Sequence, residues 1–233
     1  EREALPEVHQ IWIDIGAKNR KDALKRVRLG DPAVYDVGFE LLHGSVGAAR
    51  AFDNKAGCYV VCETLRRLAE RRKKLQAKVV AVATTQEEIG YRGGGAGVCA
   101  TCIGPQMAIV VDVTFATDHP DIEKKELGDH ALGSGPVLTR GSIISPVVFR
   151  LLRATADDLK VPYTVQAAGR NTGTDADAIH IAREGIATAL VSVPNRYMHS
   201  PNEMIALDDL DRTITLIAES CRRVTGETDF TAR

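Results

Sequence analysis

Two adjacent carboxylates, Glu87 and Glu88, follow an apolar run at residues 78–83 and precede the glycine-rich stretch Arg92-Gly93-Gly94-Gly95. In an open α/β sheet, ligands and reacting groups gather beyond the carboxyl ends of strands, so an acid pair at such an end suggests chemistry. Neighbouring side chains on extended backbone point in opposite directions. One acid can then hold a metal while the other moves a proton; a pair standing alone reads rather as a solvated pair of acids in a loop. Further donors stand at other predicted strand and loop ends: Asp53, Asp112 and His199. Asp53, Glu88, Asp112 and His199 together offer three carboxylates and an imidazole, a set that suits zinc, cobalt or manganese. Carboxylates also bridge, which allows two divalent ions about 3.5–4 Å apart to share a hydroxide. Glu87, beside Glu88 but aimed elsewhere, fits the general base that takes a proton from the attacking water. Each residue has a plainer role open to it. Asp53 can cap the helix that follows, Asp112 can open a turn, and His199 can be a surface histidine before Ser200-Pro201. Asp118-His119-Pro120 offers rival ligands but reads as a turn, because proline follows.

The elements that must position these residues alternate as helix and strand from Gly44 onward, the texture of a βαβ sheet. Helices are predicted at 56–75, 95–103, 145–160, 175–184 and 208–224, and strands at 78–83, 107–112, 163–167 and 186–193. The run 107–112 is apolar throughout and ends in Asp112, as expected of a strand buried on both faces. Residues 113–142 read as loop, as does the stretch containing Pro194 and Pro201. Residues 1–45 differ: short alternating stretches at 10–15 and 34–42 read as part of a small β domain. The predicted division is therefore 1–45 and 46–233.

Composition narrows the function further. Thirty basic residues face thirty-one acidic ones for a net charge of −1, so no bulk field recruits nucleic acid or an anionic membrane. The basic cluster from Arg66-Arg67 to Lys74 complements the end of a helix and reads as a solvated face. The five cysteines, 58, 62, 99, 102 and 221, are odd in number and fall mostly in helical patterns, which points to a reduced, cytoplasmic compartment. Cys99 and Cys102 have C-x-x-C spacing without the second pair that a zinc site needs. No apolar run approaches the ~18 residues of a membrane span, and no signal peptide is visible.

Five blocks carry a resemblance: 51–57 (Ala-Phe-Asp-Asn-Lys-Ala-Gly), 86–90 (Gln-Glu-Glu-Ile-Gly), 111–118, 173–176 (Gly-Thr-Asp-Ala) and 196–203. In this order they resemble the M42 family of metallo-aminopeptidases, which includes glutamyl, deblocking and tetrahedral peptidases. Residues 12–17 also resemble the family's inserted β-barrel domain. The resemblance implies an α/β fold with a mixed, largely parallel sheet, helices on both faces and a small partial β-barrel that serves dimerisation and assembly. It implies a hydrolase that removes the N-terminal residue of peptides through a hydroxide held by two divalent ions, zinc or cobalt, and self-association from dimer to dodecamer. By the same resemblance Asp53 bridges the metals, Glu88 and His199 complete one site, Asp112 serves the other, and Glu87 is the base. Gly173, Thr174 and Asp175 line the substrate pocket, although Thr174 equally suits a helix cap, and the Asp53–Asn54 peptide is expected to be cis. One part of the pattern is missing: a histidine of an H-x-D type motif ahead of the barrel, for which neither His9 nor His43 substitutes. N-terminal sequence is therefore expected upstream of Glu1, the alternative being a truncated, inactive relative. A glycosidase is the rival enzyme, since paired carboxylates also hydrolyse sugars. An aromatic content of 5% with one Trp offers few platforms for sugar rings.

Overall fold

A computed structural model describes residues 6–70, 75–89, 94–120 and 122–231. The chain divides into two compact units, Glu1–Asp36 and Val37–Arg233. In the first, a 3-10 turn at Val8–Gln10 precedes the short helix α1 (Arg20–Ala23), whose first turn is capped by the Asn19 side chain. The strand expected at 10–15 does not form among the described residues, where Ile11, Trp12 and Ile13 are exposed. A strand exists only by virtue of a ladder partner. The unit boundary falls at 36/37, ahead of the antiparallel pairing of β1 (Glu40–Leu41) with β2 (Val46–Ala49).

Among the described residues, the second unit is built on a seven-stranded mixed sheet. Its longest ladder is the parallel pairing of β3 (Met107–Phe115) with β6 (Ala187–Arg196), nine residues in register from Met107 opposite Ala187 to Phe115 opposite Asn195. β6 is buried along nearly its whole length, as a strand covered on both faces must be. β4 (Val137–Gly141) runs antiparallel to β6 and parallel to β5 (Thr164–Ala168). Further along the same edge of β6, β7 (Glu203–Ala206) joins β6 to β2, antiparallel to both. Parallel ladders supply the longest pairings, and antiparallel ones link β6 to β4 and, through β7, to β2 and β1.

Several expectations change. Residues 78–83 form no strand among the described residues; Val79 packs partly against the core, so the run supplies apolar contact without a ladder. Asp112 stands inside β3 rather than at its end, because the ladder with β6 continues to Phe115. Two strands read as loop, β4 and β7, are only five and four residues long and are defined by their neighbours in the sheet. Pro194 lies within β6 opposite Thr114.

Helices cover both faces. α2 (Phe52–Glu70), α5 (Pro146–Leu159) and α7 (Leu207–Arg222) pack into the main cluster with Val60, Leu68, Leu152, Ile214 and Leu216. α3 (Gly94–Ile103) contributes Ala100 to a second, small cluster with Ala182 and Ile186. α4 (Lys124–Leu127) and α6 (Ala176–Ile179) are single turns, the latter shorter than the predicted 175–184. α5 starts as its sequence dictates, with Ser145 accepting from the Val148 N–H and Pro146 in the first turn. The predicted extension of α2 to 75 crosses residues 71–74, outside the described residues.

The start of α2 is irregular: Asp53 and Asn54 have non-helical backbone, and the peptide between them is cis. Asn54 Oδ1 accepts from the Gly57 N–H at 2.7 Å while its Nδ2 donates to the Val111 carbonyl at 2.9 Å. Helix and central strand are thereby tied beside Asp112. A Cβ on Gly57 would stand 2.3 Å from Asn54 Oδ1 and 2.7 Å from the Val111 oxygen. In an open helix Gly→Ala gains roughly 1 kcal/mol. At this contact Gly57→Ala is expected to lower stability instead, by about 1–3 kcal/mol of overpacking, read as a fall in the denaturant midpoint. An unchanged or raised midpoint would refute the contact.

Candidate metal centre

Asp53, Glu88 and His199 bring one donor atom each to within 4.8 Å of one another. His199 Nε2 lies 3.0 Å from Asp53 Oδ2 and 3.6 Å from Glu88 Oε2. The Asp53 side chain is 8% exposed and that of His199 64%, so the cluster has a buried floor and an open rim. The helix cap that Asp53 could have supplied is made by Asn54, which leaves the Asp53 carboxylate to the cluster. Backbone in the left-handed region marks every approach: Ala51 (φ 57°), Gln86 (φ 70°), Tyr197 (φ 59°) and His199 (φ 65°). Each costs a non-glycine residue about 1–2 kcal/mol, which the surrounding packing must offset.

Asp112 and Glu87 stand nearby without joining that group. Asp112 is 7% exposed on β3, with Oδ1 accepting from the Val113 N–H at 2.8 Å. Burial pushes its carboxyl up to about 8, and Asp53 and Glu87 push the same way. Asp53 is raised to about 7, again by burial first and then by the Glu88 charge. Burial, Glu88 and Asp175 all raise Glu87, as suits a group that must exchange a proton. The Asp53–His199 proximity acts oppositely and favours the charged carboxylate.

Asp175 lies close enough to raise both Glu87 and Asp112, and it accepts from the Thr84 hydroxyl at 2.5 Å. Asp175 holds the N-cap position of α6, and the Thr174 hydroxyl before it accepts from the Ala176 N–H at 3.2 Å. Asp177 fixes the preceding turn through the Thr172 and Gly173 N–H groups. The rival Asp118 is engaged elsewhere: its carboxylate accepts two bonds from Arg196, at 2.8 and 2.7 Å. Burial opposes ionisation there, but the Arg196 guanidinium holds the Asp118 carboxyl below its ordinary value. That pair anchors the segment leading to His199.

Sequence reasoning passed over two supports. One is the Asn54 side chain, and the other is Glu203, a 2% exposed carboxylate that accepts from the Asp53 and His199 N–H groups at 2.8 and 3.0 Å. An acid opening the short apolar strand Glu203–Ala206 is the signal available for it, since a buried carboxylate requires partners.

A carboxylate–imidazole set converging on one point with raised carboxyl pKa values fits a divalent cation, whose charge would relieve the crowding. The M42 glutamyl aminopeptidase family matches residues 1–216. The lysyl aminopeptidase of Pyrococcus furiosus is 37% identical over 207 residues, covering 88% of this chain and 57% of its own. Among solved structures, a TET aminopeptidase from a marine-sediment thaumarchaeon superposes with a TM-score of 0.89 at 30% identity, covering 97% of this chain and 63% of that one. The TET1 peptidase of Pyrococcus horikoshii, which can assemble into a tetrahedron or a large octahedral shell, gives 0.76 at 30% identity over 91% and 60%. The chain thus spans about three fifths of the length of the relatives it matches.

The raised acids set a pH dependence. A carboxyl whose folded pKa lies above its unfolded value favours folding at low pH, and that stability is lost as pH rises through the folded pKa. For Asp53 and Asp112 the loss runs from an ordinary 3.8 up to about 7 and about 8. Buried His130, whose pKa is lowered, acts oppositely but only below the ordinary histidine value of 6.5. The metal-free chain is therefore expected to melt at a lower temperature at pH 8.5 than at pH 7. Saturating zinc or cobalt should raise the melting temperature more at pH 8.5, because metal and proton compete for the same oxygens. A metal-free melting temperature that does not fall between these pH values would contradict the burial of the acids.

Proposed function

This chain belongs to the M42 glutamyl aminopeptidase family, and from that premise we propose that it carries the catalytic portion of a metal-dependent aminopeptidase, releasing the N-terminal residue of peptides. The observation that carries the reading is the convergence of Asp53, Glu88 and His199 within 4.8 Å, with Glu87 beside them. Asp53 would bridge two divalent ions, Glu88 and His199 would complete one site, and Asp112 would serve the other. Zinc and cobalt suit this mixture of oxygen and nitrogen donors. Bound ions would supply Lewis acidity, polarising the scissile carbonyl and acidifying water.

The protein's own residues do the rest. Glu87, raised by burial and by Glu88, takes the proton of the attacking water and passes it to the departing amine. Asp175, facing that base and held by Thr84, together with Gly173 and Thr174, lines the side on which the peptide enters. The buried floor keeps bulk water from Asp53 and Asp112, which strengthens every charge interaction there. A sugar substrate has less support, because the donors meet at a single point rather than standing apart across a glycosidic bond.

The oligomers formed by similar peptidases support self-association, from dimer to dodecamer, with peptides as the other partner. Among the described residues no helix is long and apolar enough to cross a membrane. A cytoplasmic location fits the five unpaired cysteines.

Hydrolysis of amino-acid p-nitroanilides tests the proposal. Glu87→Gln is expected to lower kcat by about 10²–10⁴-fold, the usual contribution of a positioned base, with bound metal unchanged. Chelation should abolish turnover and added zinc or cobalt restore it. Activity retained in Glu87→Gln would remove Glu87 from the role, and indifference to chelator would overturn the metal-dependent reading.

A further inference from the structure

Glu203 touches none of the three converging donor atoms, yet it joins the backbones of two of the residues that carry them. Its Oε2 accepts from the Asp53 N–H at 2.8 Å and from Asn195 Nδ2 at 3.3 Å, while its Oε1 accepts from the His199 N–H at 3.0 Å. The side chain is buried at the first position of β7, where strand pairing sets Glu203 opposite Ala49 of β2. Asp53 follows β2 by four residues, and His199 sits in the turn between β6 and β7. A carboxylate only accepts, and its two oxygens are fixed to one carbon. It can thus receive N–H groups from both sides at a set separation, through charge-assisted bonds about twice as strong as neutral ones. Burial makes the arrangement reciprocal, since an ionised carboxylate persists inside a protein only while its oxygens are satisfied.

We infer that Glu203 is a positioning residue: its two oxygens hold the Asp53 and His199 backbones at the spacing that lets their side chains bind one cation. The inference rests on the metal-centre reading above. The tether also reaches the backbone of His199, whose φ of 65° lies in the left-handed region. In Glu203→Gln one oxygen becomes an amide donor, so either the Asp53 side or the His199 side loses its acceptor and faces N–H against N–H.

Cobalt(II) titration of the metal-free chain tests this, read by visible d–d absorption on wild type and Glu203→Gln at a temperature where both are folded. The variant is expected to bind cobalt about 10–100-fold more weakly, the usual cost of losing a supporting partner of a ligand, and to give an altered band shape. A purely structural role would lower the melting temperature and leave both unchanged, and that result overturns the inference. No cobalt uptake by wild type would instead overturn the metal-centre reading. Amide hydrogen exchange in the metal-free wild type reads the tether directly, and it decides the matter should the variant not fold. The Asp53 and His199 amides should exchange slowly despite the exposed His199 side chain; rapid exchange of either removes the tether.

Discussion

Carboxylates that crowd one point repel each other, and the large unit is arranged to hold them there. Two like charges 4 Å apart cost about 4 kcal/mol near a protein surface. Burial adds to this, since it is the foremost reason that Asp53, Glu87 and Asp112 resist ionisation. The scaffold must overcome both terms before any chemistry begins, and a divalent cation would relieve both at once. Val60, Val148, Val191 and Leu216 belong to the apolar cluster that supports the scaffold.

Three kinds of restraint share the task. The β3–β6 ladder gives Asp112 a rigid base deep in the sheet. Side-chain hydrogen bonds fix what the ladder does not reach: Asn54 spans from α2 to the Val111 carbonyl, Asp118 clamps Arg196, and Glu203 receives the Asp53 and His199 amides. Left-handed backbone at Ala51, Gln86, Tyr197 and His199 turns the chain sharply enough to aim the donors. Such strain survives only because the hydrogen bonds around it over-determine the geometry. The donor residues are thus placed by their surroundings more than by their own local preferences.

The same surroundings separate roles among chemically similar residues. Asp118 and Asp53 are both aspartates near Arg196-to-His199, but a bidentate guanidinium removes the first from consideration and a histidine draws in the second. Glu87 and Glu88 are neighbours in one turn, yet only Glu88 reaches His199. Asp175 faces Glu87 from the turn that opens α6, held by Thr84 across the site. Environment, not residue type, distinguishes ligand from anchor.

Much was legible in the order of residues. Hydrophobic period placed α2, α3, α5 and α7 and the two central strands within a few residues, because those segments are long and patterned by burial on one face or on both. Asp53, Glu88 and His199 could be named as donors because chemistry limits which side chains bind a cation. Tertiary structure alone decided the rest. β4 and β7 are too short to announce themselves, and residues 78–83 resemble a strand yet find no ladder, since pairing depends on a neighbour distant in the chain. Glu203 looked like any loop acid until β2 and β6 enclosed it. Sequence by itself determined which atoms could serve; where they meet depended on long-range hydrogen bonds, which carry no local signature.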